Sequence, residues 1–420
     1  MKICMFSNTY LPHVGGVAIS VATFSRELRK KGHAVMVVAP KFDGKAPPED
    51  EQYVCRVAAI QNFNGSDFSV RVPVPGLVDN DIDAFAPDII HSHHPFLLGD
   101  TALRTAQRLN VPIIFTHHTR YEEYTHYVPL DSEVLKRFVT HLATEYANLC
   151  DTVIAPSTSI KKLLLERGVT TAVEVLPTGI DLDSFQQGNG LRFREANGLD
   201  RKCPVIGHVG RLAREKNLPY LAEAVARCMQ KRTDAVFVVA GGGDAEQDIR
   251  RIFARADLEK RLIMPGILVG DDLADCYNAM DIFVFGSKSE TQGLVLMEAM
   301  AAGTPVIALH ASGVNDVVED GKNGRVLPAD CSVDVFAEVI ADVLTKNSME
   351  QWREQARHTA RSFSREKCTE QLLQLYTHTL EQQRAMAVEA DTLDELVQRI
   401  RVEWDLLQEK ASALAQSISR

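Results

Sequence analysis

Apolar residues in this chain fall into short unbroken runs, separated by longer stretches in which they recur every third or fourth position. Residues 2–8, 33–40, 88–91, 112–116 and 152–156 are such runs and read as strands. Between the first two, residues 17–31 carry the helical period and stop at Gly32, a residue suited to the position just past a helix end. Strands apolar on both faces that alternate with amphipathic helices predict a parallel sheet covered on both sides. The rhythm pauses in the polar, glycine-bearing stretch 186–190, which reads as the start of a linker running to about residue 200. It then restarts, with strands at 204–209, 235–240, 282–285 and 305–309 and helices at 217–231 and around 294–302. The predicted class is α/β: two Rossmann-like, doubly wound parallel-sheet domains, 1–190 and 195–365, then a helix over 366–386. Two such domains in tandem are expected to face a central cleft, since ligands of these sheets bind outside the strands' carboxyl ends.

The last segment, 391–420, has a different pattern. Thr392 and Glu395 form a capping box. Leu393, Val397, Ile400, Trp404, Leu407, Ala411, Leu414 and Ile418 then follow in alternating steps of four and three. That is a heptad seam, narrower than the face of a helix lying on a globular core. It predicts a C-terminal amphipathic helix that pairs with its copy in a homodimer through residues 392–418; packing on its own chain is the alternative.

Length and composition narrow the class. At 420 residues the chain suits two domains, and 45 % hydrophobic with 24 % charged residues is the composition of a globular protein. A net charge of −10 argues against a nucleic-acid partner. The eight cysteines form no Cys-x-x-Cys pair, which suits reduced thiols in the cytoplasm. No signal peptide and no membrane span are evident, so contact with a membrane is expected to be peripheral, on the inner face of the plasma membrane.

Four places carry candidate chemistry. Gly15 and Gly16 sit between a strand and a helix start, where glycine lets a phosphate approach free N–H groups at the positive end of the helix; a tight turn without a ligand fits equally. This is not the Gly-x-Gly-x-x-Gly fingerprint of dehydrogenases. Arg211 and Lys216 flank a loop opening a helix at Asn217, a candidate N-cap; the two cations suit a diphosphate, or are solvated surface charges. Glu290 follows a strand and Glu298 lies about one turn into the next, otherwise small and apolar, helix. Ionised carboxylates accept from hydroxyls, so the pair suits a sugar and a ribose, or is a capping carboxylate and an exposed helix glutamate. His118, in His117-His118-Thr119, ends a first-domain strand and either contacts a donor or is structural. His91, His93 and His94 have neither the spacing nor the carboxylate partner of a metal site, and no metal or other cofactor is expected.

Together these motifs resemble glycosyltransferase family 4, the retaining enzymes of the GT-B fold, from Met1 to about Leu380. Glu290 and Glu298 followed by Ala-Met-Ala-Ala-Gly-Thr-Pro-Val, the Pro12-x-x-Gly15-Gly16 turn, Gly210-Arg211 with Lys216, and Val175-Leu176-Pro177-Thr178-Gly179-Ile180-Asp181 carry it. The resemblance implies a nucleotide-diphosphate sugar as substrate, with Gly16 near its phosphates and Arg211 and Lys216 on the diphosphate. Glu290 and His118 would lie by the donor sugar, Glu298 by the ribose, and Gly293, Leu294 and Val295 would supply N–H groups at a helix start. It also implies a helix after Ser364 that returns across the first domain. Residues 117–127 resemble the glycolipid synthases that glycosylate diacylglycerol, which implies UDP-glucose as donor and a lipid acceptor. A soluble sugar acceptor, a nucleotide-sugar epimerase and a non-catalytic sugar-binding relative are the alternatives.

Overall fold

A computed structural model of the chain describes residues 1–13, 15–42, 51–60, 70–71, 78–123, 132–288, 290–345 and 349–387. The heptad segment 391–420, residues 124–127 and residue 289 lie outside the described residues. The chain forms two compact units: Met1–Gly179 together with the helical segment from Arg365, and Ile180–Ser364.

In the first unit the strands are β1 (Lys2–Phe6), β2 (Ala34–Pro40), β3 (Val54–Val57), the short antiparallel pair β4 (Ala59–Ile60) and β5 (Val70–Arg71), then β6 (Ile89–Ser92), β7 (Ile113–Thr116), β8 (Thr152–Ala155) and β9 (Val173–Val175). Helices α1 (Gly16–Lys30), α2 (Asp79–Phe85), α3 (Leu98–Leu109), α4 (Glu133–Asn148) and α5 (Thr158–Glu166) connect them. The seven-stranded sheet is parallel throughout, in the order β3-β2-β1-β6-β7-β8-β9. Its central strands are buried on both faces, as their unbroken apolar runs require.

The second unit opens with α6 (Leu182–Gln186) and α7 (Gly190–Ala196). It continues through β10 (Val205–Val209), α8 (Leu218–Lys231), β11 (Val236–Ala240), α9 (Glu246–Arg255), β12 (Leu262–Gly266), α10 (Gly270–Ala279), β13 (Ile282–Phe285), α11 (Leu294–Ala301), β14 (Val306–Leu309), β15 (Gly324–Leu327), α12 (Val333–Leu344) and α13 (Met349–Ala360). Its parallel sheet has the order β12-β11-β10-β13-β14-β15. Each unit is thus a doubly wound Rossmann-like layer, with one apolar cluster on either face of its sheet.

One boundary and the nature of the linker differ from the sequence reading. The units divide at Gly179/Ile180, not at residue 190, and the stretch read as a linker is packed structure. Asn278 Nδ2 donates to Phe185 O at 2.6 Å, and the Asn189 N–H donates to Asp275 Oδ1 at 2.6 Å. A Cβ on Gly188 would lie 2.3 Å from Asn278 Nδ2, and one on Gly190 2.3 Å from Asn278 O. These glycines serve close approach to α10, not flexibility. The last described helix, α14 (Arg365–Ala387), belongs to the first unit: Cys368, Leu372 and Tyr376 are buried in the cluster that also holds Val21, Phe24 and Leu28 of α1. Among the described residues no helix is long and apolar enough to cross a membrane.

Candidate functional site

In a doubly wound sheet the loops leaving the two strands at which the order reverses diverge, and a crevice opens between them. In the second unit that point lies between β10 and β13. The loop after β10 carries Arg211 and Lys216, and the loop after β13 carries Glu290. The fold brings two of these together: Lys216 Nζ lies 2.5 Å from Glu290 Oε1, with side chains 18 % and 13 % exposed. Burial pushes the Glu290 carboxyl up, but the Lys216 charge and hydrogen bonds from Lys216 and Ser287 outweigh it, holding the group below the ordinary carboxylate value. Arg211 takes another partner. It pairs with Glu215 of its own loop while its side chain stays 44 % exposed.

Glycines hold the Arg211 loop in place. Leu212 N–H donates to Gly242 O at 2.9 Å, and Ala245 N–H to Leu212 O at 2.8 Å. A Cβ on Gly241 would sit 1.9 Å from Gly210 O, and one on Gly243 2.3 Å from Leu212 O, so these two loops touch only because neither position has a side chain. Asn217 is not the expected capping residue. It takes a left-handed conformation (φ 55°) with no side-chain cap, and its Nδ2 donates to Gly286 O at 3.2 Å, tying the loop after β10 to the one after β13.

Gly293 precedes α11 with φ 73°, a conformation that disfavours a Cβ, and no side chain caps the helix. The positive end of α11, at Leu294 and Val295, therefore follows Glu290 closely in the chain. Glu298, half-buried in the second turn of α11, accepts from Tyr277 Oη at 2.8 Å.

In the first unit the order reverses between β1 and β6. The loop after β1 leads to Gly15 and Gly16, and the segment after β6 is His93-His94. Gly15 is the extended N-cap of α1, which has no side-chain cap and no acidic residue in its first turn. A Cβ on Gly16 would meet nothing within 4 Å, so the fold itself does not demand glycine there. His118, half-buried, lies with its Nε2 2.9 Å from His93 Nδ1. Burial pushes His91 and His94 down to about 3 and His117 to about 4, and holds His93 and His118 well below the ordinary histidine value. All five are neutral at pH 7. Among the described residues no group of three or more His, Cys, Asp or Glu is placed to hold a metal ion.

Residues 14–184 match the family described as Glycosyltransferase Family 4, and residues 191–359 match Glycosyl transferases group 1. The chain belongs to glycosyltransferase family 4. Its two matched segments fall almost wholly within the two units, and Gly15, Gly16 and His118 lie in the first, Lys216, Glu290 and Glu298 in the second. This glycosyltransferase is 32 % identical over 78 % of its length to 75 % of the alpha-monoglucosyldiacylglycerol synthase of Streptococcus pneumoniae. It is 30 % identical over 79 % of its length to 85 % of a GDP-mannose-dependent alpha-mannosyltransferase of Mycolicibacterium smegmatis. Among solved structures, Anabaena HepE in complex with UDP-glucose superposes with a TM-score of 0.71 at 19 % identity, covering 90 % of this chain and all 100 % of that one, which shows the shared GT-B fold.

The structure adds residues that the sequence reading of this glycosyltransferase passed over. Tyr277 is the partner of Glu298. Gly313 (φ 77°) lets the backbone run so close to Thr291 and Gln292 that a Cβ would lie 3.0 Å from the Gln292 nitrogen. His208 is buried within β10, its ring stacked near Phe283 and Phe285. Its Nδ1 faces Val284 O at 3.0 Å. A carbonyl only accepts, so the proton is on Nδ1 and Nε2 is an acceptor; Nε2 has no hydrogen-bond partner among the described residues. A histidine inside an otherwise apolar strand was the available signal; Tyr277 and Gly313 had none.

Proposed function

We propose that this glycosyltransferase moves a hexose, with retention of configuration, from UDP-glucose to a hydroxyl of 1,2-diacylglycerol, working peripherally at the inner membrane face. The observation that carries the reading is the Lys216–Glu290 pair across the reversal point of the second sheet, followed in the chain by the uncapped start of α11. A cation and a helix N-terminus suit a departing diphosphate, and a carboxylate kept ionised suits sugar hydroxyls. Arg211, partly exposed, adds a second cation, and Glu298 with Tyr277 offers acceptors to a ribose. Departure of the leaving group and attack by the acceptor then occur on one face of the sugar, through an oxocarbenium-like state, with no covalent nucleophile assigned. The open space at Gly16 suits phosphates at the start of α1. The donor and lipid draw support from the S. pneumoniae relative and from the UDP-glucose held by HepE. The M. smegmatis relative, at similar identity, supports a second reading with GDP-mannose.

The test is a screen of UDP-glucose, UDP-galactose and GDP-mannose with diacylglycerol in mixed micelles, read by mass spectrometry. Hexosyl-diacylglycerol from UDP-glucose is expected. Product from GDP-mannose alone would replace the donor, and product only on water-soluble acceptors would end the lipid reading. Sugar isomerisation without an acceptor would make the protein an epimerase.

Two predictions go with this reading. Cations already placed for a diphosphate make a divalent ion unnecessary, so transfer is expected to persist in excess EDTA; loss of activity restored by Mg²⁺ or Mn²⁺ would refute it. The heptad segment is proposed as a homodimer contact. Truncation after Ala387 is expected to convert a dimer to a monomer in sedimentation while UDP binding persists; a monomeric full-length chain at micromolar concentration would refute the contact.

A further inference from the structure

His118 does not stand alone at the edge of the first sheet. Its Nε2 lies 2.9 Å from Nδ1 of His93, and the two rings meet edge to edge, centroids 5.1 Å apart and planes 24° apart. His93 is wholly buried, and its ring centroid lies 4.1 Å from that of His91. His91 is held at both nitrogens: Nδ1 lies 2.6 Å from Tyr376 Oη of α14, and Nε2 lies 2.7 Å from Thr116 Oγ1. The chain Tyr376–His91–His93–His118 therefore starts from a firmly held ring and ends at the one histidine of the set that the sequence reading places by a donor sugar.

Two neutral imidazoles that share one hydrogen bond must divide donor and acceptor between them. His93 Nε2 is buried and has no hydrogen-bond partner among the described residues. Were His93 the acceptor at Nδ1, its proton would sit on Nε2 as an orphaned buried N–H, the rarer and costlier arrangement. His93 is thus the donor at Nδ1, and His118 Nε2 accepts. The proton of His118 is then on Nδ1, since the hydrogen bond made by one ring nitrogen sets the state of the other.

We propose that His93 is a positioning residue for glycosyl transfer: it donates from Nδ1 to His118 Nε2 and so holds the His118 ring in one orientation and in the Nδ1–H tautomer. This rests on the reading of His118 as a donor-sugar contact. His93 itself touches no substrate in this scheme.

The experiment compares H93L, H93N and H118A in the full-length protein, with UDP-glucose as donor and 1,2-diacylglycerol in mixed micelles. An asparagine Nδ2 reaches the place of the histidine Nδ1 and donates as it does, whereas leucine does not. H93L is expected to lose about tenfold to a hundredfold in kcat with KM for UDP-glucose little changed, the scale of a misplaced catalytic contact. H93N is expected to restore most of that loss. Wild-type turnover in H93L beside an inactive H118A would overturn the role of His93 alone, as would equal loss in H93L and H93N. A fully active H118A would instead overturn the donor-contact reading on which the role rests. ¹⁵N-histidine spectra of the wild-type protein need no variant to fold: a His118 proton on Nδ1 supports the proposal, and one on Nε2 overturns it.

Discussion

Alanine at Lys216 or Glu290 is expected to lower turnover by about 10²-fold or more, the scale of removing one preorganised electrostatic contact. The two side chains lie 2.5 Å apart and mostly out of water, so each single change also deprives its partner of this counter-charge. Stranding a charge in a fully buried pair costs about 3–5 kcal/mol; with both groups here retaining some solvent, the lower end or less is expected. Removing both at once leaves no lone charge. The double variant should therefore recover much of the melting temperature lost by the singles without recovering any activity. That split separates catalysis from folding in one set of measurements, kcat on one axis and thermal unfolding on the other. Near-normal turnover in both single variants would remove the pair from the reaction.

Acid is expected to destabilise the protein steeply, beginning well above the range where ordinary carboxylates titrate. His91 and His94 are held down to about 3, His117 and His208 to about 4, and His93 and His118 are also lowered, in each case chiefly by burial. In the unfolded chain each returns to about 6.5. Between those values the unfolded state binds protons that the folded state refuses, so stability rises with pH there. It is fully present above about pH 6.5 and is lost as pH falls, toward 4 for His117 and His208 and toward 3 for His91 and His94. Each tenfold loss of proton affinity on folding corresponds to about 1.4 kcal/mol per group, and six groups act in the same direction. Glu290, lowered by Lys216, adds its own loss only below the ordinary carboxylate value. Urea unfolding between pH 7.5 and 5 is the measurement. A midpoint that does not move over that range would mean that these histidines are hydrated and not shielded as the structure has them. Asn replacing His117, which has no hydrogen-bond partner at either ring nitrogen among the described residues, should flatten part of the slope.

The apolar runs in the sequence identified β1, β2, β6, β7 and β8 of one sheet and β10, β11, β13 and β14 of the other. Within these two sheets the strands they missed, β3, β9, β12 and β15, are the edges, and the short pair β4–β5 outside them was missed as well. An edge strand is half wet and carries no doubly buried run: β9 is Val-Glu-Val with two exposed positions, and every residue of β12 is only half-buried. The α/β class, the two-unit plan and the family motifs were all legible because buried parallel strands and phosphate-type turns each impose a local residue pattern. Partnership was not. Lys216 and Glu290 are 74 positions apart, and His93 and His118 are 25 apart. Only the strand order, which places β10 beside β13, put the first two in contact. The same physics misled the reading at Gly188 and Gly190: glycine marks flexibility and close packing alike, and only the neighbouring α10 decides which. Arg211 and Asn217 show the limit again, since their types suited a diphosphate and a cap, and the nearest partner the fold supplied was Glu215 for one and Gly286 for the other. A side chain's chemistry is written in its own identity, whereas the group it meets is chosen by the path of a backbone elsewhere in the chain.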